Sequence, residues 1–467
     1  MMYLSTRGRA GRRSFEEVLL AGLAEDGGLF LPERWPALDR DRLEALDGAD
    51  YPATAAAVLA PFAEGCFEED ELLAMAREAY AGFAHPAVAP LRQLDPSLWL
   101  LELFFGPTLA FKDFALQLLA RMFERVLVRR DETITILGAT SGDTGSAAIA
   151  AVAGRRRMRV LILHPHERVS PVQRRQMTTV DAPNVANVAI RGTFDDCQNI
   201  VKVLFNDAAF RKEAKLAAVN SINWARIAAQ AAYYVYAALR LGCLRRPVGF
   251  CVPTGNFGDV YAGHVARCMG LPVHRLLVAT NRNDILARFF ESGEYRAGEV
   301  VQTSSPSMDI QVASNFERLL FELVDGDGAA VAQLMNRFAQ ERGFAVSSRA
   351  HARARALFEA GTADDEQTRA TIARWYERTG GAVLVDPHTA VGLAVAERLR
   401  GTSSHPLVVL ATAHPAKFPE AVERATGRPP PPPVRLADLF ARTERFTVLP
   451  ADPAAVADFL RSWQATP

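Results

Sequence analysis

A lysine set between aromatic residues is the first side chain here with chemistry to offer. Lys112 stands in Gly106-Pro107-Thr108-Leu109-Ala110-Phe111-Lys112-Asp113-Phe114, where a segment of helical texture begins. Apolar neighbours disfavour the charged ammonium, and the neutral amine is the form that attacks an aldehyde. A solvated lysine at a helix start is the plainer alternative. A second segment, Gly138-Ala139-Thr140-Ser141-Gly142-Asp143-Thr144-Gly145-Ser146, follows an apolar run at 133–137 and precedes a helical stretch at 147–152. Successive backbone N–H groups in such a turn can wrap a carboxylate or phosphate, aided by the helix N-terminus. The turn lacks the Gly-Lys-Ser/Thr ending of a P-loop and the spacing of a dinucleotide fingerprint. Pro253-Thr254-Gly255-Asn256-Phe257-Gly258-Asp259 repeats the arrangement between a run at 248–252 and a helical stretch at 260–269, which makes a second anion cradle. Either segment reads alternatively as an ordinary strand-to-helix turn. The fourth segment is Ala411-Thr412-Ala413-His414-Pro415-Ala416-Lys417-Phe418, after an apolar run at 407–410. A hydroxyl at a strand end can meet a ring nitrogen. A neutral donor there leaves a pyridine unprotonated, whereas a carboxylate holds it protonated. His414 and Lys417 serve equally well as turn residues.

These segments need rigid elements to position them. Short apolar runs at 133–137, 158–163, 185–190, 248–252, 276–280, 382–385 and 407–411 read as strands, and Ala- and Leu-rich stretches at 114–127, 225–241 and 391–400 read as helices. Continuous apolar strands alternating with helices predict an α/β fold with mostly parallel sheets covered on both faces. Ligands in such sheets bind beyond the carboxyl ends of the strands. Residues 1–97 read as a helical N-terminal domain, with a capping box at Ser14 and Glu17 and an amphipathic helix at 68–81. Residues 98–428 form the α/β region, in which 326–364 is charged and helical in texture. Five prolines at 429–433 make a stiff connector to an αβα segment, with a strand near 446–449, that is expected to pack on the large domain and to end at 467.

Composition narrows the function further. Hydrophobic residues are 49% of 467, enough for a large core, and 53 basic residues balance 53 acidic ones. No basic excess points to nucleic acid or an anionic membrane, and no run is long and apolar enough to span a bilayer. The opening ten residues lack the apolar core of a signal peptide. Five cysteines without a Cys-x-x-Cys pair predict neither disulfides nor a zinc site, and imply a reducing cytoplasm. No metal is expected: His164 and His166 have no third ligand nearby in sequence. Asp195-Asp196 reads as a helix-dipole complement, Arg155-Arg156-Arg157 as a solvated charge cluster, and Phe194, Phe205, Tyr233, Tyr234 and Tyr236 as packing.

Taken together and in order, the four segments resemble the threonine synthases, and behind them the fold-type-II pyridoxal-phosphate enzymes of the tryptophan synthase β family. Tyr3-Leu4-Ser5-Thr6-Arg7-Gly8 and Glu25-Asp26-Gly27-Gly28-Leu29-Phe30 extend the likeness to the N-terminal region, in the manner of the longer bacterial and fungal type. The resemblance implies two open, twisted, mostly parallel sheets flanked by helices. It implies that Lys112 holds pyridoxal 5'-phosphate as a Schiff base. Gly255, Asn256, Phe257, Gly258 and Asp259 match the loop that takes the cofactor phosphate, and Thr412 matches the hydroxyl facing the pyridine nitrogen. Ser141, Gly142, Asp143 and Thr144 match the loop that faces the substrate carboxylate. Arg174, in Ser170-Pro171-Val172-Gln173-Arg174-Arg175-Gln176-Met177, stands where the family usually carries lysines. With Asn223 it is expected to bind substrate, and Arg226 and 281–284 are further candidates for the substrate phosphate. The implied reaction converts O-phospho-L-homoserine and water to L-threonine and phosphate, on a monomer or homodimer. A phospho-lyase or deaminase of the same fold, and a non-catalytic metabolite-binding relative, are the competing readings.

Overall fold

The computed structural model describes residues 1–140, 142–217 and 221–465. The chain forms two compact units. The larger comprises Met1–Leu19, Leu23–Ala115 and Ser221–Pro430. Its six-stranded sheet runs in the order Phe358–Thr362, Val273–Thr280, Val248–Pro253, Leu407–Ala411, Leu98–Glu102, Leu91–Gln93. All neighbours are parallel except the last pair. Val248–Pro253 and Leu407–Ala411 are buried at every position, as strands covered on both faces must be. Helix Pro387–Leu399 starts on the Asp386 cap and lays Leu393, Val395 and Ala396 against Leu277, Val409 and Trp375. Helix Trp224–Arg240, buried along nearly its whole length, has no polar face to show water.

The N-terminal region departs from its expectation as a separate helical domain. It clusters with the larger unit and opens with a three-stranded antiparallel sheet of Met2–Ser5, Arg13–Ser14 and Phe30–Pro32. The physical reason is shared burial. Tyr51 meets Tyr80, Phe114 and Tyr236 edge-on at 4.9, 5.3 and 5.4 Å, so its helix Tyr51–Leu59 has no core of its own. The capping box is present: Ser14 N donates to Glu17 Oε2 at 2.7 Å and Glu17 N to Ser14 Oγ at 3.3 Å.

The smaller unit comprises Leu20–Gly22, Leu116–Asn220 and Pro431–Pro467. Its all-parallel sheet runs Thr447–Pro450, Val185–Arg191, Met158–Pro165, Ile134–Ala139, Leu216–Ala217. Here the C-terminal segment corrects the expectation that it packs on the larger unit. Thr447–Pro450 adds an edge strand beside Val185–Arg191, and helix Pro453–Ala465 buries Val456 and Leu460 with Leu161, Ile190 and Ile200. The first helix expected there is only the 3-10 turn Val434–Leu436.

Two further differences have local causes. The apolar run at 382–385 is no strand: Val383 and Val385 are buried beside helix Pro387–Leu399, but Asp386 already caps that helix. Within 326–364, Phe358–Thr362 pairs with Val273–Thr280 as an edge strand, a pairing that local charge density hides.

Candidate active site

Lys112 is positioned by its own turn and by a neighbouring strand end. The chain before it passes through Leu109 at φ 62°, a left-handed conformation that an L-residue adopts at a cost of roughly 1–2 kcal/mol. Backbone bonds hold it there: Phe111 N donates to Thr412 O at 2.9 Å and His414 N to Leu109 O at 3.0 Å, around a bridge between Ala110 and Ala413. Lys112 and the Thr412 segment are therefore one backbone unit. The next residue, Asp113, is fully buried and accepts from Thr108 N at 2.8 Å and Thr108 Oγ1 at 2.7 Å. Burial pushes its carboxyl up to about 6, against the opposing pull of Thr108 and Lys417. Lys417, buried as well, donates to Thr108 O at 2.7 Å, so it braces the turn. His414 accepts from Ala416 N at 3.1 Å, and burial lowers it to about 4, which keeps its ring neutral near pH 7. Lys112 Nζ lies 4.7 Å from the centre of the Phe111 ring.

The second cradle belongs to the same unit. Strand Val248–Pro253 ends at Thr254, and helix Gly258–Cys268 begins after Phe257, at φ 64°. Phe257 is anchored against Phe290, Phe316, Phe358 and Tyr261 at centroid distances of 5.4–6.3 Å. Burying it yields about 1.5–3 kcal/mol, enough to offset a left-handed residue. Asn315 N donates to Asn256 O at 3.0 Å, and its side chain donates to the same oxygen at 3.1 Å. Thr254 N and Tyr261 N are hydrogen-bonded, but the backbone N–H groups from Gly255 to Val260 take no partner among the described residues. Unpaired N–H groups at a helix N-terminus form an anion site, and a phosphate fits this one. Asp259 is turned away from it. The carboxylate accepts from the hydroxyls of Tyr233 and, at 2.9 Å, Tyr234. Burial raises it to about 6 despite those donors and the positive charge of Lys112. Its Oδ2 has no partner among the described residues. Asp259 therefore serves the cradle through its backbone and faces Lys112 electrostatically. Tyr233 and Tyr234, read from sequence as packing, hold that carboxylate. Their adjacency on an apolar helix gave no sign of it.

The sequence candidates for substrate divide sharply. Asn223 caps helix Trp224–Arg240 by accepting from Ala225 N at 3.0 Å, and it donates to Leu19 O at 2.9 Å. It is structural. Asn281 and Asn283 are tied into a network with Thr303, Ser305 and Asp309. Arg226 is the exception: it is 3% exposed, and Nε and one terminal nitrogen lack partners among the described residues. Burial lowers its guanidinium to about 10, which leaves it charged at neutral pH.

In the smaller unit, Ile134–Ala139 leads into helix Asp143–Val152 through Gly142, at φ 145°. Thr140 Oγ1 accepts from Gly142 N at 3.0 Å and Gly145 N at 2.9 Å. Gln173 Nε2 donates to Asp143 Oδ1 at 2.8 Å. Thr144 lies in the first turn of the helix, and Ser141 lies outside the described residues. Arg174, expected against substrate, is instead locked on Glu444 through two bonds of 2.8 and 3.1 Å. Its guanidinium is already paired because the C-terminal segment brings a carboxylate to it.

A lysine at a strand-to-helix turn, a strand-end threonine bonded to the same turn and an N–H cradle at the end of a parallel strand define a fold-type-II pyridoxal-phosphate enzyme. Residues 84–372 match the model of the pyridoxal-phosphate dependent enzymes, residues 2–80 that of the threonine synthase N terminus, and residues 389–460 that of the threonine synthase C-terminal region. The chain is 53% identical to a threonine synthase of Pseudomonas aeruginosa, over 98% of each chain. It superposes on the PLP-bound threonine synthase from Brucella melitensis with a TM-score of 0.97 and 51% identity, each chain covered completely. For the threonine synthase from yeast the TM-score is 0.95 at 38% identity, covering 100% of this chain and 99% of that one. The chain belongs to the threonine synthase family.

Proposed function

We propose that this chain converts O-phospho-L-homoserine and water to L-threonine and phosphate, with Lys112 as the residue that carries the cofactor and then moves protons at Cα and Cβ of the substrate. Bound pyridoxal phosphate supplies the electron sink that stabilises negative charge beside the amino-bearing carbon. The chain's own residues supply the rest. The N–H groups from Gly255 to Val260 hold the cofactor phosphate. Thr412 presents a neutral hydroxyl to the pyridine nitrogen, and the buried Asp259 biases the charge of Lys112. The turn at Gly142, Asp143 and Thr144 takes the substrate carboxylate. Arg226, a buried cation with open donors, takes the departing phosphate, where a prepositioned positive charge lowers the barrier to C–O cleavage. The carrying observation is that Lys112 and Thr412 share one backbone unit in a region whose N–H cradle takes no partner among the described residues.

Five free cysteines, three of them buried, fit work in a reducing cytoplasm, on a monomer or homodimer. Among the described residues no helix is long and apolar enough to cross a membrane. The deciding experiment incubates the purified protein with O-phospho-L-homoserine and measures threonine and 2-oxobutyrate. Threonine with stoichiometric phosphate is expected. 2-Oxobutyrate with ammonia would make the chain a lyase or deaminase, and no product from cofactor-loaded protein would make it a binding protein.

A further inference from the structure

Helix Gly258–Cys268 offers its first turn to the cofactor phosphate, and its last turns carry a separate group of metal-ligating side chains. His264 and Cys268 are four residues apart and so share one face of the helix. Glu322, on helix Phe316–Leu323, meets them. His264 Nε2 is 3.0 Å from Glu322 Oε2 and 3.4 Å from Cys268 Sγ. One donor atom from each residue falls within 4.8 Å of the others, the only such group among the described residues. Tetrahedral zinc, with bonds of about 2.0–2.3 Å to nitrogen, oxygen and sulfur, sets its ligands roughly 3.3–3.6 Å apart. The two distances from His264 Nε2 stand near that spacing, and the thiol and carboxylate, within 4.8 Å of one another, need only a small side-chain movement to close on an ion.

Their orientation is fixed from outside, as good metal ligands require. Tyr261 donates its hydroxyl to Glu322 Oε1, leaving Oε2 turned to the histidine. The His264 ring is wedged between Trp35, Tyr261 and Phe358 at centroid distances of 6.4, 5.5 and 5.7 Å. His264 is buried, while Cys268 and Glu322 are half-buried. A histidine–glutamate ion pair accounts for two members of the group and has no need of the thiol. A borderline-soft cation accounts for all three.

We propose that His264, Cys268 and Glu322 bind one zinc-class divalent ion, with water in the fourth position, and that the ion clamps helix Gly258–Cys268 to helix Phe316–Leu323. On binding, the ion takes the place of the thiol proton and of the proton shared by His264 Nε2 and Glu322 Oε2, both of which pass to solvent. Both clamped helices serve the cofactor loop at their other ends: the first opens at Gly258 and Asp259, and the second follows Asn315, which donates to Asn256 O. The ion therefore stabilises the cradle without touching a reacting atom.

The test uses the full-length, tag-free protein with its cofactor bound, stripped by a chelator and titrated with Zn²⁺ by calorimetry. Co²⁺ serves in parallel, read by its visible bands to the red of the cofactor's absorption. One ion per chain is expected, with tetrahedral cobalt bands, a higher unfolding temperature and slower cofactor loss in the wild type. Cys268→Ser is expected to weaken Zn²⁺ binding by about 100-fold, and Tyr261→Phe, which keeps all three ligands, by about 10-fold. Unchanged metal-free turnover in Cys268→Ser shows that this variant folds. No binding, or equal affinity in the wild type and Cys268→Ser, overturns the proposal.

Discussion

Two glycine-bearing turns, each leading from a parallel strand into a helix, are held in opposite ways. The turn of Thr140 and Gly142–Gly145 is tied to itself: Thr140 Oγ1 accepts from two of its N–H groups, and Gln173 pins Asp143. The turn at Thr254–Asp259 is held from outside, by the Phe257 ring in an aromatic nest and by Asn315 on the Asn256 carbonyl, and its N–H groups from Gly255 onward take no partner among the described residues. The first design fixes the shape of the turn proposed to take the substrate carboxylate. The second leaves a run of donors without partners among the described residues, a state that external bracing maintains, since an unbraced loop turns its N–H groups to water or to itself. Lys112 belongs with the second turn, and variants of these residues test the contrast directly.

Lys112→Ala carries the largest expected effect. Turnover falls by roughly 10²–10⁴-fold or more, and borohydride no longer fixes the cofactor to the chain, while the N–H cradle still binds it. Turnover near the wild-type rate would remove the lysine from the chemistry and break the link between cradle and reaction. Asp259→Asn comes next. The Asp259 carboxyl lies at about 6 in the folded chain, above its ordinary value. Such a group adds stability that is full at acid pH below the unfolded value and is lost as pH rises through about 6. A rise of about 2 units corresponds to roughly 3 kcal/mol. Unfolding curves between pH about 4 and about 7 should show the wild type losing that much relative to Asp259→Asn, which keeps an acceptor for Tyr233 and Tyr234. The variant pays for its extra stability with slower turnover, because Lys112 loses a neighbouring charge. Parallel pH curves for the two proteins would mean that Asp259 does not titrate there.

A glycine pair sharpens the comparison further. A methyl group on Gly255 would stand 2.8 Å from the Ser307 carbonyl oxygen, backbone that cannot swing aside. Overpacking of this kind costs about 1–3 kcal/mol, so Gly255→Ala should weaken cofactor binding about 10- to 100-fold. At Gly142 the methyl would meet the Gln173 side chain at 2.5 Å, and the backbone sits at φ 145°. Gly142→Ala should therefore raise the KM for substrate and leave the cofactor's absorbance and affinity unchanged. Equal cofactor loss in both variants would erase the distinction between the turns.

What the sequence made legible is what lies contiguous in it. Lys112, the 255–259 segment and Thr412 each sit in a short string whose order and strand-to-helix setting carry the meaning, and the main strands are apolar runs bounded by turn residues. Long-range partners were not legible. Tyr233 and Tyr234 reach Asp259 from 25 residues away or more, and on an apolar helix they look like any other core aromatics. Asn315, which braces Asn256, lies 59 residues downstream. The cluster of His264 and Cys268 with Glu322 joins positions whose spacing no compact ligand motif covers. The pairing of Thr447–Pro450 with Val185–Arg191 depends on which sheet edge is open, a property of the assembled sheet and of no single strand.

Arg174 is where the C-terminal segment meets a residue expected from sequence to bind substrate, and it carries the smallest expected effect. Burial works against the Glu444 carboxylate, but Arg174, Thr178 and Arg175 outweigh it and hold the group below the usual carboxylate range. Thr178 Oγ1 adds a bond of 2.9 Å to the same oxygen that Arg174 Nε meets at 2.8 Å. Such a braced, partly exposed pair is worth about 1 kcal/mol. If Arg174 serves the C-terminal segment, Arg174→Ala lowers stability by about that amount in a urea titration and leaves the KM for O-phospho-L-homoserine unchanged. Glu444→Gln then has the same small effect. If Arg174 meets the substrate during turnover, the two variants separate: Arg174→Ala raises the KM about 10-fold or more, whereas Glu444→Gln releases the guanidinium and lowers it. The arginine that the resemblance placed on the substrate is therefore distinguished from a structural one by the behaviour of its partner.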